Sequence, residues 1–304
     1  MLNLIINTQS TSPVLIKILT QCTQVERLTL ELAEFHSKTL IPCFEHLARL
    51  THLAITHTGD IRTVPLSERL VVSIAASVPN LYELSIQKVG RSAFNASDLI
   101  EAGLYAQVVL RDTDIPPHAL LGADLSLPSL LRLPTLKRLR IHDTDLGDPQ
   151  WVLTPISCSL ELLDLSNRDF EPSERDHVFA EHIVGKVGHT VEELCLSSPI
   201  SKGMFSLASV TETPLKHLRR LRLTSLFPVE KILDTLETLS GSPVEEVHVH
   251  CRDEDDFVCL VPQLHKLLRK HFEDDRSTFY PHLTHINDKP VLDEYEDLLL
   301  FADS

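Results

Sequence analysis

The sequence predicts an α/β fold, a curved horseshoe solenoid with a parallel sheet on its concave side and helices on its convex side. About ten or eleven irregular repeats build it. Three observations carry this expectation. Leucine supplies 53 of the 304 residues and glycine only 9. An apolar-x-x-apolar-x-apolar phrase returns along nearly the whole chain. Stretches with helical apolar spacing precede many of its copies.

The phrase stands at Val25-Leu28-Leu30, Leu50-Leu53-Ile55, Leu81-Leu84-Ile86, Leu136-Leu139-Ile141 and Leu160-Leu163-Leu165. It continues at Val191-Leu194-Leu196, Leu218-Leu221-Leu223 and Val244-Val247-Val249. Weaker copies are Met1-Leu4-Ile6, Tyr105-Val108-Leu110 and Leu283-Ile286. The central positions run from 4 to 286 in ten intervals, a mean of 28.2 residues. The closing apolar-x-apolar pair has period two, so each phrase ends in a short strand with its aliphatics on one face. Helical spacing appears in Val14-Leu15-Ile18-Leu19, Leu70-Val71-Ile74-Ala75-Val78, Val178-His182-Ile183-Val187 and Ile232-Leu233-Leu236-Leu239. Val78-Pro79-Asn80 and Ser240-Gly241-Ser242-Pro243 read as stops, because the residue before a proline is driven out of the helical region. One helix and one strand cannot bury a leucine face alone; stacked copies can. A one-dimensional core also explains how 304 residues exceed the usual single-core limit of roughly 250–300 without dividing. The expected organisation is a repeat array over 1–250, starting inside a repeat, and a continuous acidic C-terminal repeat or cap over 251–304.

These phrases resemble the leucine-rich-repeat family. The junctions at 15–30, 75–86 and 242–249, where a helix gives way to Cys, Val-Pro or Ser-Pro and then the strand phrase, are similar to the leucine-rich regions of fungal and plant F-box proteins. The resemblance implies a protein-interaction module that recognises a substrate on its concave face, as in an F-box-type ubiquitin-ligase subunit. It implies a Skp-type adaptor only if an F-box lies upstream of Met1, since none is in the sequence. Two further readings stand beside it: a stand-alone regulator or scaffold of GTPase-activator type, and an enzyme with an atypical site in the loop insertions. The family's Asn or Cys five places after the central leucine is absent, and Thr58, Thr113 and Thr144 are the expected substitutes at three of those turns.

Charge narrows the partner classes. There are 43 acidic and 28 basic residues, net −15, the wrong sign for a nucleic-acid binder. The segment 250–304 alone holds 13 acids and 6 bases. Within it 257–272 reads as an amphipathic helix between acidic clusters. No run of about 18 apolar residues exists, so no membrane span is expected. Six scattered cysteines read as reduced thiols, and the start has no basic region of a secretory signal, which points to cytoplasm or nucleus. Two stretches break the repeat: 56–67, and the proline-punctuated 111–134, which is expected to bulge from one rim.

If the aliphatics point inward, the residues between them line the concave face. The candidate partner-binding residues there are Arg27, Arg111, Arg138, Arg140, His142, Asp164, Arg220, Arg222, His248 and His250. With Lys289, the bases number seven, against the acids Glu31, Glu83, Asp164, Glu193 and Glu246, so this face differs in sign from the whole chain. Guanidinium forks suit carboxylate or phosphate, so an acidic or phosphorylated protein partner is expected. The plainer alternative is pairing between neighbouring strands, Arg140 with Asp164 and Arg220 with Glu193 or Glu246. His248-Val-His250-Cys251 fits no zinc spacing well. No nucleophile elbow, zinc helix or phosphate loop occurs, so no catalytic residue, metal or cofactor is expected.

Overall fold

The computed structural model describes residues 2–6, 12–32, 38–58, 66–92, 108–109, 112, 114–167, 174–200, 215–225, 229–251, 263, 280, 282–287 and 289–290. The expected helix at 257–272 and nearly all of the acidic 251–304 region lie outside these residues. The chain divides into two compact units, Met1–Leu160 with Arg168–Phe170, and Glu161–Asn167 with Glu171–Ser304.

In the first unit the strands are β1 (Leu2–Ile6), β2 (Arg27–Leu32), β3 (His52–His57), β4 (Leu66–Ser67), β5 (Glu83–Gln87), β6 (Val89–Ser92), β7 (Val108–Val109) and β8 (Arg138–His142). In the second they are β9 (Leu162–Leu165), β10 (Glu193–Leu196), β11 (Arg220–Ser225), β12 (Glu246–Cys251), β13 (His285–Ile286) and β14 (Lys289–Pro290). The helices are α1 (Ser12–Gln21), α2 (Ile41–Phe44), α3 (Glu68–Ser77), α4 (Gln150–Leu153), α5 (Glu174–Val187) and α6 (Val229–Leu239).

The main sheet of the first unit runs β1-β2-β3-β5-β8, all parallel. The central leucines of successive repeats face one another: Leu28, Leu53, Leu84 and Leu139. In the second unit β9-β10-β11-β12-β13 is parallel, with Leu163, Leu194, Leu221, Val247 and Ile286 in line. One backbone device recurs at the strand entries. The carbonyl two places before a central residue accepts two consecutive N–H groups of the next repeat: Glu26 from Thr51 and His52, Thr51 from Tyr82 and Glu83, Tyr82 from Lys137 and Arg138. Glu161, Glu192, Arg219 and Glu245 do the same in the second unit. These bonds fix the register at which the aliphatic layer closes.

The first strand corrects the sequence reading. Leu2, not Leu4, stands opposite Leu28, and Leu4 stands opposite Leu30. Both residues share a face, so a shift of two keeps the aliphatic pattern and the sequence could not choose between them. The weak copy at Val108 is likewise not in the main sheet. β7 pairs with β6, and β6 with β4, in a separate small parallel sheet.

Aliphatics on one sheet face and on the inward stripes of the helices form the core, and α3 is buried on nearly every side. Leu28, Leu53, Leu84, Leu139, Leu163, Leu194 and Leu221 are 0–2 % exposed. α3 ends at Val78, which is extended ahead of Pro79. In α5 the inward stripe is Phe179, Ala180, Ile183, Val184 and Val187, while Val178 is 48 % exposed. The expected Val178-His182 pair thus faces out, because the stripe is shifted by about one position.

The segment 111–134 does not bulge from the described part of the rim. From 114 onward it forms a second cover over α3, with a 3-10 turn at Leu127–Arg132 and Leu125, Leu127, Leu130 and Leu131 buried. Polar stitches hold it there. The buried Arg69 donates to the carbonyls of Ile115 and Ala123, Ser67 donates to Asp112, and the Leu127 N–H donates to Glu68. Beside them the fully buried Arg91 lies between Glu68, at 2.9 Å, and Asp148.

Shorter hydroxyl groups replace the missing asparagine ladder. Thr144 donates to the His142 carbonyl and accepts the Val89 N–H. In the second unit Ser197 accepts the Asn167 N–H and bonds Thr224, which donates to the Leu196 carbonyl. Among the described residues the sheet of the second unit closes with the antiparallel β13–β14 pair, where Asn287 adopts φ +47° and its Oδ1 accepts the Val249 N–H at 2.7 Å. Pro290 on β14 has no N–H to donate to a further strand.

Candidate functional site

The strand alternation sends Arg27, Thr29 and Glu31 of β2 to the face opposite the leucines, and β3, β5 and β8 repeat the pattern. Direct register then sets Arg27, His52, Glu83 and Arg138 in one row. Thr29, Ala54, Ser85 and Arg140 form the next row, and Glu31, Thr56 and Gln87 the third, with Gln87 beside His142.

Glu83 is the hub of this surface. Its two carboxylate oxygens take different guanidinium groups, Oε2 with Arg138 Nε and Oε1 with Arg140 Nε, each at 3.2 Å. His52 Nε2 lies 3.8 Å from Oε2. Burial and then the neighbouring Arg27 charge hold the His52 imidazole below its usual range, against the pull of Glu83, so it is neutral near pH 7. Arg27 is exposed and makes no ion pair among the described residues. Gln87 donates to Asp143, a residue at φ +45° that closes the turn after β8.

The second unit repeats the device. Arg220 and Arg222 of β11 each place Nη2 3.4 Å from Glu193, on its two different oxygens. The Glu193 side chain is 10 % exposed, while the arginines are 45 % and 51 % exposed. The carboxylate forms a floor and the guanidinium groups a solvent-facing roof. Asp164 is buried and accepts from both the backbone and hydroxyl of Ser166. His248 Nε2 is 3.9 Å from Glu246, and His250 is exposed at the end of β12.

The structure therefore brings the expected residues together in two groups: Arg138 and Arg140 on Glu83, and Arg220 and Arg222 on Glu193. The expected pairing of Arg220 with Glu193 is present, and Arg140 engages Glu83. Arg111 and the side chain of Lys289 lie outside the described residues. The hub role of Glu83 and Glu193 was not foreseen. Its signal is in the sequence: Glu83-Leu84 precedes the strand Arg138-Leu139-Arg140, and Glu193-Leu194 precedes Arg220-Leu221-Arg222. Among the described residues no group of three or more His, Cys, Asp or Glu could hold a metal ion, and no helix is long and apolar enough to cross a membrane.

No protein-family model matches the chain, and no curated protein matches it. Among solved structures it is similar to the leucine-rich repeat-containing protein LegL7 from Legionella pneumophila, at 15% identity and a TM-score of 0.31, over 88% of this chain and 98% of that chain. The in-line leucines and the repeated two-donor carbonyls give each unit the α/β fold of stacked leucine-rich repeats.

Proposed function

We propose that the chain is a protein-interaction module that binds a polypeptide partner on the open face of its parallel sheet. The observation that carries this is the contrast between the two faces. One is closed by leucines, while the other presents charged and polar side chains from consecutive strands, with no element among the described residues forming a second layer over β2, β3, β5 and β8. Such a surface offers many contact points at fixed spacing and no enclosed site from which water is excluded, which favours recognition over catalysis. The finer reading is substrate recognition as in an F-box-type ubiquitin-ligase subunit, in cytoplasm or nucleus. A Skp-type adaptor enters only through an F-box outside this sequence.

Affinity capture with quantitative mass spectrometry tests it, comparing wild type with R138E/R140E/R220E/R222E of unchanged circular dichroism. Loss of specific polypeptide partners from the variant supports the reading. Unchanged capture overturns it. Adaptor and cullin peptides captured with the native full-length chain support the ubiquitin-ligase form, and their absence removes that form.

A further inference from the structure

Within the cover over α3, the loop from His118 to Gly122 is closed on itself. His118 and Gly122 exchange two backbone bonds, N–H to carbonyl, at 2.8 and 2.7 Å. Gly122 turns the chain at φ +70°, where a side chain would be strained. Arg132 donates to the carbonyls of Leu120 and Leu121, at 3.3 and 3.1 Å. Leu121 is buried, while Ala119 and Leu120 are exposed at the tip. A further tie is the His118 ring. Its Nδ1 accepts the Leu120 N–H at 3.1 Å, and its Nε2 lies 3.3 Å from Ser77 Oγ at the end of α3.

The proton count of this contact is closed. A backbone N–H can only donate, so Nδ1 must carry a lone pair. The neutral ring then has its proton on Nε2 and donates it to Ser77, whose own hydroxyl proton goes to the Ser73 carbonyl at 2.9 Å. An imidazolium has two N–H groups and no lone pair, so it cannot accept from Leu120. Burial holds the ring below its usual range, against the pull of Glu45, which follows α2. Ser77 carries no charge, and Arg132 beside the loop is engaged by the two carbonyls and lies 3.7 Å from Asp124. We propose that His118 is a proton-sensitive latch: neutral, it fixes the Leu120 tip, and protonated, it releases the Leu120 N–H to water while the His118–Gly122 bridge and Arg132 keep the loop closed at its ends. The released ring titrates near the ordinary value of 6.5 and the latched ring below it. The latch is therefore shut above that pH and opens as pH falls through the range beneath it. The device is separate from the open sheet face and does not depend on the reading given to that face.

The test is amide hydrogen exchange of the full chain by NMR, at about pH 7.5 and about pH 5, with rates corrected for intrinsic pH dependence. Protection of the Leu120 amide in wild type is expected to fall between the two, by at most about thirtyfold, the limit for a released ring that titrates at its ordinary value. His118→Asn puts a side-chain oxygen in place of Nδ1 and does not titrate, so it is expected to hold the same protection at both pH values. His118→Phe has no acceptor there and is expected to leave the Leu120 amide unprotected at both. Amides of β5 and β8 report the global fold and are expected to keep their protection throughout. A wild-type fall of less than about twofold, or an equal fall in H118N, overturns the latch. If H118N is unprotected at both pH values, the ring nitrogens of wild type decide. Nitrogen-15 shifts showing Nδ1 without a proton near pH 7.5 and with one near pH 5, in step with the loss of protection, support the latch, and a neutral ring with its proton on Nδ1 overturns it.

Discussion

Arg91 is the most exposing place to perturb the fold. Its side chain is 0 % exposed, between Glu68 at 0 % and Asp148 at 5 %. Burial opposes its charge, and Glu68, Asp148 and Asp145 together more than restore it. Arg91→Met keeps most of the volume and removes the cation, which leaves two carboxylates facing each other without water. Breaking a buried pair from one side costs about 3–5 kcal/mol, a large part of the roughly 5–15 kcal/mol of a typical domain. Trp151 is the reporter. It is the only tryptophan in the chain, it is fully buried, and its backbone N–H donates to the Asp148 carbonyl at 3.1 Å. Urea unfolding followed by its fluorescence is expected to show an unfolding free energy lowered by that amount. R91M/E68Q/D148N is expected to regain at least half of the loss, because the stranded charges are gone. A loss below about 1 kcal/mol in R91M, or no recovery in the triple variant, refutes the assignment of this triad as the stitch that ties α3 to β6 and to the turn before α4.

Other expectations follow from single contacts. A Cβ at Gly188 would lie 2.4 Å from Leu215 Cδ2 and 2.5 Å from the Val184 carbonyl oxygen, so Gly188→Ala should cost about 1–3 kcal/mol in a melt of the second unit. A neutral outcome would mean that α5 and Leu215 are looser than the contact implies. Burial pushes the Cys158 thiol from its usual 9 up to about 11. The unfolded thiol ionises first, so stability is intact below about pH 9 and falls by up to about 3 kcal/mol as pH approaches 11. Cys158→Ala should flatten that alkaline fall, and equal falls in both proteins would contradict the burial effect. Asn287 holds φ +47° and accepts the Val249 N–H. Asn287→Ala should destabilise more than Asn287→Gly, by about 1 kcal/mol, since alanine adds left-handed strain to the same lost bond; the reverse order in a urea titration counts against that geometry.

Period-two phrases made the main strands legible, because a buried sheet face tolerates few departures from alternation. Leu53, Leu84 and Leu139 align as their phrases require. The register of β1 was not legible, since Leu2 and Leu4 both satisfy the same face. The cover over α3 was not legible either. Pro116, Pro117 and Pro128 mark a break in the repeat, but the contacts that fold it back are Arg69 to two carbonyls and Glu68 to one N–H, and no spacing rule announces those. On the open face the sequence could say which residues share a side of each strand. It could not say that Arg138 and Arg140 converge on one carboxylate, because that depends on side-chain direction across strands 55 positions apart, from Glu83 to Arg138. The charge surplus that seemed to belong to the whole face rested partly on Arg111 and Lys289, whose side chains are not described. Among the described residues the open face carries three bases and two acids in the first unit, and two bases and three acids in the second.

The measurement that bears most directly on the central claim is arginine footprinting with phenylglyoxal, with and without the captured polypeptide partner. Arg49 and Arg219 are the internal controls: at 60% and 61% they are more exposed than Arg138 and Arg140, at 30% and 29%, and they lie at repeat junctions rather than on the open face. Protection of Arg138 and Arg140 with no change at Arg49 and Arg219 is the predicted result. Protection of the controls with unaltered labelling of Arg138 and Arg140 would contradict binding on the open sheet face.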